Sequence, residues 1–196
     1  MEEKLFNLFE ECKSELKNIG IDVYDEKKYG KIDIKLSKRK AKRYGCCRQE
    51  NPDIKTLYRK NRKIYYKKFN MHHIEISKWV MDLNDDIIKN TIMHELIHCM
   101  PECNNHGKVF KQYEKYINER LGYSISTLGN KKQDYENSNL VYDENEERER
   151  DKYKVICESC NYTFFRKRMM KSFTRKYRCG KCGGKFKIYE IFLDKD

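Results

Sequence analysis

The first apolar pattern in the chain recurs at intervals of three and four residues, separated mostly by Glu, Lys and Asn. Its members are Leu5, Leu8, Phe9, Cys12 and Leu16. Residues three and four apart share one face of an α-helix, so this spacing predicts an amphipathic helix over residues 3–18. Gly20 follows as a signal for the end of that helix.

Four short segments after this helix are typical of β-strands. They combine partial alternation of apolar and polar positions with many β-branched or aromatic residues. The segments are KIDIKL (31–36), RYGCCR (43–48), KIYYKKF (63–69) and HIEIS (73–77). We therefore expect strands at these four places, after the first helix and before the next one.

Two more helices are predicted after the strands. The first begins at Asp82 or Asn84, either of which can cap it, and ends at Pro101, which cannot continue a helix. Its apolar positions are Ile87, Ile88, Ile92 and Leu96. The second runs from about residue 106 to 121 and stops at Gly122. Its apolar positions are Phe110, Tyr113, Ile117 and Leu121.

The remaining stretch of the chain divides it into two parts. Residues 134–151 (DYENSNLVYDENEERERD) are polar and acidic, with little to bury, and are predicted to be a linker. We expect a compact α+β domain over residues 1–133 and a smaller β domain over residues 152–196. The chain contains no internal repeat.

Composition narrows the class of protein. The chain has 196 residues, of which 38% are hydrophobic, and its 15 Tyr, 9 Phe and one Trp are enough aromatic surface for a core, which argues against disorder. No apolar run approaches the roughly 18–20 residues that span a bilayer, and the N-terminus MEEKLFNLFEE is acidic, unlike a signal peptide. We expect a cytoplasmic protein, monomeric and without a membrane partner.

Positive charge is concentrated in two blocks. Residues 27–68 carry 17 basic and 3 acidic side chains, and residues 151–196 carry 13 and 5. Solvation alone would explain either block, but both interleave cations with aromatic rings. Cations neutralise phosphates and rings stack on unpaired bases, so the pattern predicts contact with nucleic acid, either DNA or RNA. The candidate contact residues are Arg59, Arg62, Lys63, Arg166, Lys167, Arg168, Arg175 and Lys176.

The sharpest chemical feature is an HExxH motif at residues 94–98, within the first of the two later helices. His94 and His98 are one turn apart on one helix face, where both imidazoles can bind one Zn²⁺. Glu95 lies beside the metal, as a general base that takes a proton from water would need to. The alternative is a pair of ordinary surface histidines. His72 and His73 have no comparable spacing and are interpreted as structural.

A catalytic zinc requires a third protein ligand and an open fourth position. The sequence leaves several candidates for that ligand. They are His106, Cys103, Glu102, Glu114 and Glu119. His106 lies eight residues after His98 and beyond Pro101, where the chain can turn back, and Gly107 beside it would ease a close backbone approach.

The cysteines predict a second metal site. Nine cysteines in a chain without a secretion signal indicate reduced thiols, and four of them form two CxxC pairs. These are Cys157 with Cys160 and Cys179 with Cys182. Four thiolates close a tetrahedral Zn²⁺ site, so this zinc would be structural and would stabilise a module too small for a secure core. Between the pairs lies a basic, aromatic hairpin, either a nucleic-acid contact or a lid on the first domain.

The segment MHELIHCMPECNNHGKVFK (93–111) resembles the active-site segment of SprT-like zinc metallopeptidases, in which HExxH is followed by a third histidine. RYGCCR and HIEIS resemble the strands that precede that segment in the family, and the two CxxC pairs resemble the zinc ribbon of many members. The resemblance covers about residues 1–130 and 152–196. It implies a compact zincin-like fold, His94, His98 and His106 as ligands of a catalytic zinc, and Glu95 as the general base. The best-studied relatives, the Spartan proteases, degrade proteins crosslinked to DNA.

The leading hypothesis is therefore a zinc-dependent endopeptidase that holds two Zn²⁺ ions, one catalytic and one structural, and acts on protein bound to nucleic acid. One alternative is a metal-dependent RNase similar to the YbeY family, which also uses three histidines but typically has Gly at the position of Glu95. Another is a zinc-ribbon protein that binds nucleic acid on a degenerate peptidase scaffold.

Overall fold

A computed structural model describes residues 1–38, 42–60, 62–143 and 151–191 of the chain. The chain divides into two compact units, Met1–Leu140 and Val141–Asp196. In order, the elements of the first unit are α1 (Glu2–Asn18), α2 (Glu26–Tyr29), β1 (Lys31–Leu36), β2 (Gly45–Pro52), β3 (Leu57–Lys60), β4 (Lys63–Tyr66), β5 (Phe69–Ile76), α3 (Asp85–Ile97), α4 (Lys108–Leu121) and α5 (Lys131–Asn137). The second unit contains β6 (Tyr153–Cys157), β7 (Thr163–Arg166), α6 (Phe173–Lys176) and β8 (Phe186–Glu190).

The main sheet of the first unit has the strand order β1-β5-β2. Strand β5 is central, parallel to β1 and antiparallel to β2. In the register, Ile74 lies beside Ile34 and Cys47, and His72 lies beside Ile32 and Gln49. Because strand side chains alternate between faces, these positions share the inner face of the sheet.

The outer face of the same sheet is charged. Glu75 on β5 pairs there with Lys35, Arg43 and Arg48, and His73 on β5 lies 2.8 Å from a carboxylate oxygen of Asp33. Apolar burial is thus confined to the inner face, against which the helices pack.

Helix α3 is the central element of the core and contacts α1, α4, β2 and β5. Most of its residues are buried. The buried ones are Ile88, Thr91, Ile92, Met93, Glu95, Leu96 and Ile97. Helix α1 adds its single apolar face, which consists of Leu5, Leu8, Phe9, Cys12 and Leu16. The predicted α1 pattern and the predicted span 31–36 of β1 are confirmed.

Several predicted boundaries differ from the structure, and the strand predicted at 43–48 is found as β2, Gly45–Pro52. KIYYKKF is not one strand: Lys63–Tyr66 forms β4, which pairs with β3 as a separate hairpin, and Phe69 already begins β5. Helix α3 ends at Ile97 rather than near Pro101, because the N–H groups of Cys99 and Met100 bond carbonyls three residues back, and the proline disfavours helical geometry before it. Helix α4 begins at Lys108, after Gly107.

The first residues of the predicted linker, 134–151, belong to a helix in the structure. Helix α5 covers the first four of its residues, and Tyr135 stacks on Trp79 with ring centroids 6.1 Å apart. The first compact unit consequently extends to Leu140. Residues 144–150 of this stretch lie outside the described residues.

The second unit has a three-stranded antiparallel sheet of order β7-β6-β8. Its core is small. It consists of Val155, Cys157, Phe173, Cys179 and Phe186, with Phe164, Met169 and Ile188 packed against them. Together with the first unit, this confirms the predicted α+β fold class.

Two glycines allow a test of the backbone near the sheet. Gly30 has φ 77°, and a Cβ there would lie 2.6 Å from the carbonyl oxygen of Phe69 at the start of β5; Gly122 has φ 74° with open space around it. We expect Gly30→Ala to lower the free energy of unfolding by about 3 kcal/mol, from left-handed strain plus a steric clash, and Gly122→Ala by about 1–2 kcal/mol from strain alone.

Urea unfolding monitored by the fluorescence of Trp79, the one tryptophan of the chain, measures both losses. Equal losses in the two variants would contradict the close approach of Gly30 to β5.

Candidate metal centre

Helix α3 carries His94, Glu95 and His98. Asn84 caps the helix, since its side chain accepts a hydrogen bond from the N–H of Ile87. His98 is the C-cap residue and keeps helical backbone angles, φ −64° and ψ −17°. The rings of His94 and His98 therefore lie one turn apart on the same face, with centroids separated by 5.1 Å.

His106 reaches the same point from the loop between α3 and α4. That loop is held by backbone groups that precede β5: the N–H of Glu102 bonds the carbonyl of Lys67 at 2.8 Å, and the side chain of Asn104 bonds the carbonyl of Tyr66 at 3.0 Å. Glu102 adopts φ 65°, which turns the chain back towards the helix. This loop brings His106 beside the two helical histidines.

The three imidazoles converge through their Nε2 atoms. The Nε2 of His106 lies 2.9 Å from that of His94 and 3.1 Å from that of His98. Three nitrogens bound to one tetrahedral zinc, each about 2.0–2.1 Å from it, would lie about 3.3 Å apart. The donor type and the spacing fit a Zn²⁺ ion with three protein ligands.

The opposite ring nitrogens orient two of these ligands. The Nδ1 of His94 lies 3.1 Å from the carbonyl oxygen of Ser126, and that of His98 lies 2.7 Å from the carbonyl oxygen of Cys103. A carbonyl can only accept, so both rings carry their proton on Nδ1 and present a bare Nε2. Both rings thus have the tautomer that a metal requires.

Phe110 of α4 supports all three rings. It is fully buried, and its centroid lies 5.0, 4.8 and 4.8 Å from those of His94, His98 and His106. The phenyl ring excludes water from one side of the cluster.

Burial favours the neutral form of the two helical histidines, His94 and His98. It lowers the pKa of His94 to about 4, with further lowering from His98 and His106. Burial likewise lowers the pKa of His98, assisted by His106. Neutral imidazole is the form that binds a metal ion.

Glu95 extends from α3 towards β2. It is 5% exposed, and its carboxylate accepts a hydrogen bond from the backbone N–H of Cys47. Burial, and after it the charge of Cys47, raises the pKa of Glu95 to about 8, against the opposing effect of Arg43. A Cβ at Gly45 would lie 2.8 Å from Oε1 of Glu95, so the glycine leaves the space that this carboxylate occupies.

A cavity of about 590 Å³ adjoins His94 and Glu95. The rest of its lining includes residues of the first half of α3, residues 43–45, the segment 124–130 and α5, and it carries several amide and hydroxyl groups. The candidate site therefore borders a cleft of mixed polar and apolar surface.

The other candidates for the third ligand are engaged elsewhere. Glu102 forms an ion pair with Lys67 at 2.8 Å, and the carbonyl of Cys103, rather than its thiol, contacts His98. Glu114 and Glu119 pair with lysines of their own helix.

The four paired cysteines also come together. Their sulfur atoms lie within 4.8 Å of one another, with Cys157 and Cys182 3.4 Å apart and Cys160 and Cys179 3.7 Å apart. The second turn closes through Gly183, at φ 75°, whose N–H bonds the carbonyl of Cys179 at 2.7 Å. This group of four cysteines fits a zinc ribbon. Among the described residues, a third group that could hold a metal consists of Cys47, His72 and Cys99.

The basic residues predicted to contact nucleic acid fall into two sets. Arg59 lies on β3, Arg62 in the β3–β4 turn with φ 62°, and Lys63 begins β4. In the second unit, Arg166 ends β7 and Arg175 and Lys176 lie in α6. Lys167 and Arg168 follow β7.

Sequence reasoning missed the groups that orient this site. The N–H of Cys47 and the carbonyls of Ser126 and Cys103 are backbone groups, which no residue type reveals. The sequence predicts Phe110 only as an apolar position of its helix. Gly45 lies within a predicted strand, and nothing in the sequence indicates that its lack of a side chain makes room for Glu95.

These features define a class: an α+β domain in which a buried helix with HExxH, together with a histidine from the following loop, forms a three-histidine metal site. A model of the SprT-like family matches residues 11–129, and the chain belongs to that family. The family is metallopeptidase-like, so a metal-dependent, peptidase-like function is established at that level. No curated protein matched the chain. No helix in the described parts of the chain is long and apolar enough to cross a membrane.

The contribution of His106 can be measured directly. We expect His106→Ala to bind one zinc fewer than the wild-type chain, because two imidazoles alone hold the ion weakly. His73→Ala is the matched control, since His73 lies on the outer face of the sheet beside Asp33. Mass spectrometry of metal content after gel filtration gives both values, and an unchanged zinc content in His106→Ala would contradict the assignment.

Proposed function

We propose that this chain is a zinc-dependent endopeptidase that acts on proteins bound or crosslinked to DNA. The observation that carries the proposal is the convergence of His94, His98 and His106 next to a buried Glu95, at the edge of an open cleft. The chain holds two zinc ions in this proposal, one at the three histidines and one at the four ribbon cysteines.

His94, His98 and His106 would hold a Zn²⁺ ion, whose Lewis acidity would polarise a carbonyl and acidify water. Glu95 takes a proton from the attacking water and delivers it to the leaving amine. The N–H of Cys47 holds its carboxylate in place, and Gly45 keeps space free beside it. Burial raises the pKa of Glu95, so its carboxylate is a stronger base than an exposed one. A cation bound nearby would lower this pKa again.

The cleft supports a polypeptide as the substrate. Its volume of about 590 Å³ and its lining of amide and hydroxyl groups offer hydrogen-bond partners to a peptide backbone. Tyr44, one of the lining residues, donates a hydrogen bond to Asp134 of α5 and so ties two sides of the cleft together.

DNA as the partner is supported by exposed cations next to exposed rings. On the β3–β4 hairpin, Tyr58 and Tyr65 stack with centroids 5.5 Å apart and are 38% and 37% exposed. Within the described part of the chain, no carboxylate pairs with Arg59 or Arg62. In the second unit, the ammonium of Lys181 lies 4.3 Å from the ring of Tyr162, which is 40% exposed. Such surfaces bind phosphates and unpaired bases together.

The general base is tested by Glu95→Gln. We expect this variant to keep its zinc but to cleave a DNA-bound basic protein at least about 10²-fold more slowly, because an amide cannot accept the proton. Glu119→Gln, a surface glutamate of α4 that is well exposed, should cleave at the wild-type rate. Each assay is run with and without single-stranded DNA, and full activity of the zinc-loaded Glu95→Gln variant would refute the mechanism.

The DNA surface is tested by replacing Arg59, Arg62 and Lys63 together with Ala. Loss of three phosphate contacts should reduce the slope of log affinity against log salt by about 2–3 for single-stranded DNA. The control removes three lysines of α1 and α4 with the same change of net charge. These are Lys4, Lys17 and Lys115. Equal slopes in the two triple variants would show that net charge alone sets the binding.

The same preparations discriminate the alternatives. A YbeY-like RNase would cleave RNA in a reaction that depends on His94 but not on Glu95. A binding protein without activity would retain both zinc ions and bind DNA but release no fragments from any protein substrate.

A further inference from the structure

A third group of metal-binding side chains lies in the core of the first unit, and it comes from three elements. Cys47 belongs to β2, His72 to β5, and Cys99 follows the end of α3. His72 and Cys99 are buried, at 1% and 2% exposure, and Cys47 is half-buried. Their donor atoms all lie within 4.8 Å of one another. We propose that Cys47, His72 and Cys99 form an additional zinc site, separate from the three histidines and the ribbon.

The distances fit one ion. The sulfur atoms of Cys47 and Cys99 are 3.7 Å apart, and the sulfur of Cys47 is 3.8 Å from Nδ1 of His72. Two thiolates on one tetrahedral zinc, each about 2.3 Å from it, lie about 3.8 Å apart. The ribbon cysteines of this chain show sulfur separations of 3.4 and 3.7 Å, so the core group matches them.

The ring of His72 is buried, and its Nδ1 is the atom that faces the sulfur of Cys47. A metal bond at Nδ1 places the ring proton on Nε2, which has no hydrogen-bond partner among the described residues. The ion accounts for Nδ1 and not for Nε2, so the site is supported by the convergence of the three donor atoms.

The chemistry of the three donors favours zinc. Two thiolates neutralise the charge of Zn²⁺ and His72 adds a neutral imidazole, so the filled site buries no net charge. Thiolate and imidazole are the ligands that zinc prefers, and a set of two cysteines and one histidine leaves a fourth position for water. The partial exposure of Cys47 allows water to reach that position.

A metal here would connect the sheet to the helix that carries HExxH. Cys47 also provides the N–H that bonds Glu95, and Cys99 directly follows His98. The ion would thus fix β2 and β5 against the end of α3 and hold Cys47 in the position that orients Glu95. In this role the ion stabilises the packing of β2 and β5 against α3, and its existence does not depend on the proposed peptidase activity.

Two residues next to the proposed ligands serve as matched controls for a test by substitution. Cys46 and His73 adjoin Cys47 and His72 in sequence but lie on the outer face of the sheet. Mass spectrometry of metal content, after loading with Zn²⁺ alone and gel filtration, should find one zinc fewer in Cys47→Ser and in His72→Gln than in wild type. Cys46→Ser and His73→Gln should keep the wild-type content. Equal zinc content in all five proteins would overturn the proposal.

A measurement on the wild-type chain avoids any variant that fails to fold. Zn²⁺ should slow alkylation of Cys47 by N-ethylmaleimide at least tenfold relative to the chelator-treated protein, while Cys46 continues to react as before. Unchanged alkylation of Cys47 would contradict the site. A count of two free thiols fewer than the nine cysteines, in denaturant with chelator, would instead identify a Cys47–Cys99 disulfide and also overturn the proposal.

Discussion

The convergence of three imidazole nitrogens at one point is the constraint on which this structure depends. His94 and His98 donate hydrogen bonds from Nδ1 to the carbonyls of Ser126 and Cys103, which leaves the lone pair of each Nε2 available to a metal ion. The Nε2 of His106 lies 2.9 and 3.1 Å from these two atoms, a spacing that suits one cation bound by all three. The surrounding elements keep the three rings in place: α3 presents two of them, the loop bonded to residues 66–67 presents the third, and Phe110 closes one side.

The same helix must satisfy two opposing demands. Its apolar residues form the centre of the core, yet it also carries a carboxylate and two imidazoles. The conflict is resolved by the edge strand β2, whose small Gly45 makes room for Glu95 and whose Cys47 N–H bonds it. A buried carboxylate without such a partner would be strongly destabilising. The second unit has a much smaller core, so its four converging thiols take a larger share in defining its fold.

Periodicity predicted the elements whose burial follows from local pattern alone. The apolar face of α1, the span of β1 and the end of α4 at Gly122, which adopts a left-handed backbone, are set by the chain near them. The β3–β4 hairpin and α5 were missed, because exposed hairpins carry no inner apolar face and α5 is held by contacts distant in sequence, such as those of Tyr135 with Trp79 and of Asp134 with Tyr44. The spacing of apolar residues also could not separate β4 from β5.

By itself, the sequence determined the types of candidate ligand and their local spacing, because residues one turn apart on a helix and three residues apart in a CxxC turn meet wherever the rest of the chain lies. It left the third ligand open among five residues. Tertiary structure brings His106 to the other two histidines, while the loop geometry sends Glu102 to Lys67 and turns the Cys103 carbonyl to His98. It alone also brought together Cys47, His72 and Cys99, which are distant in sequence, because β2, β5 and α3 bury their side chains at one point of the same core.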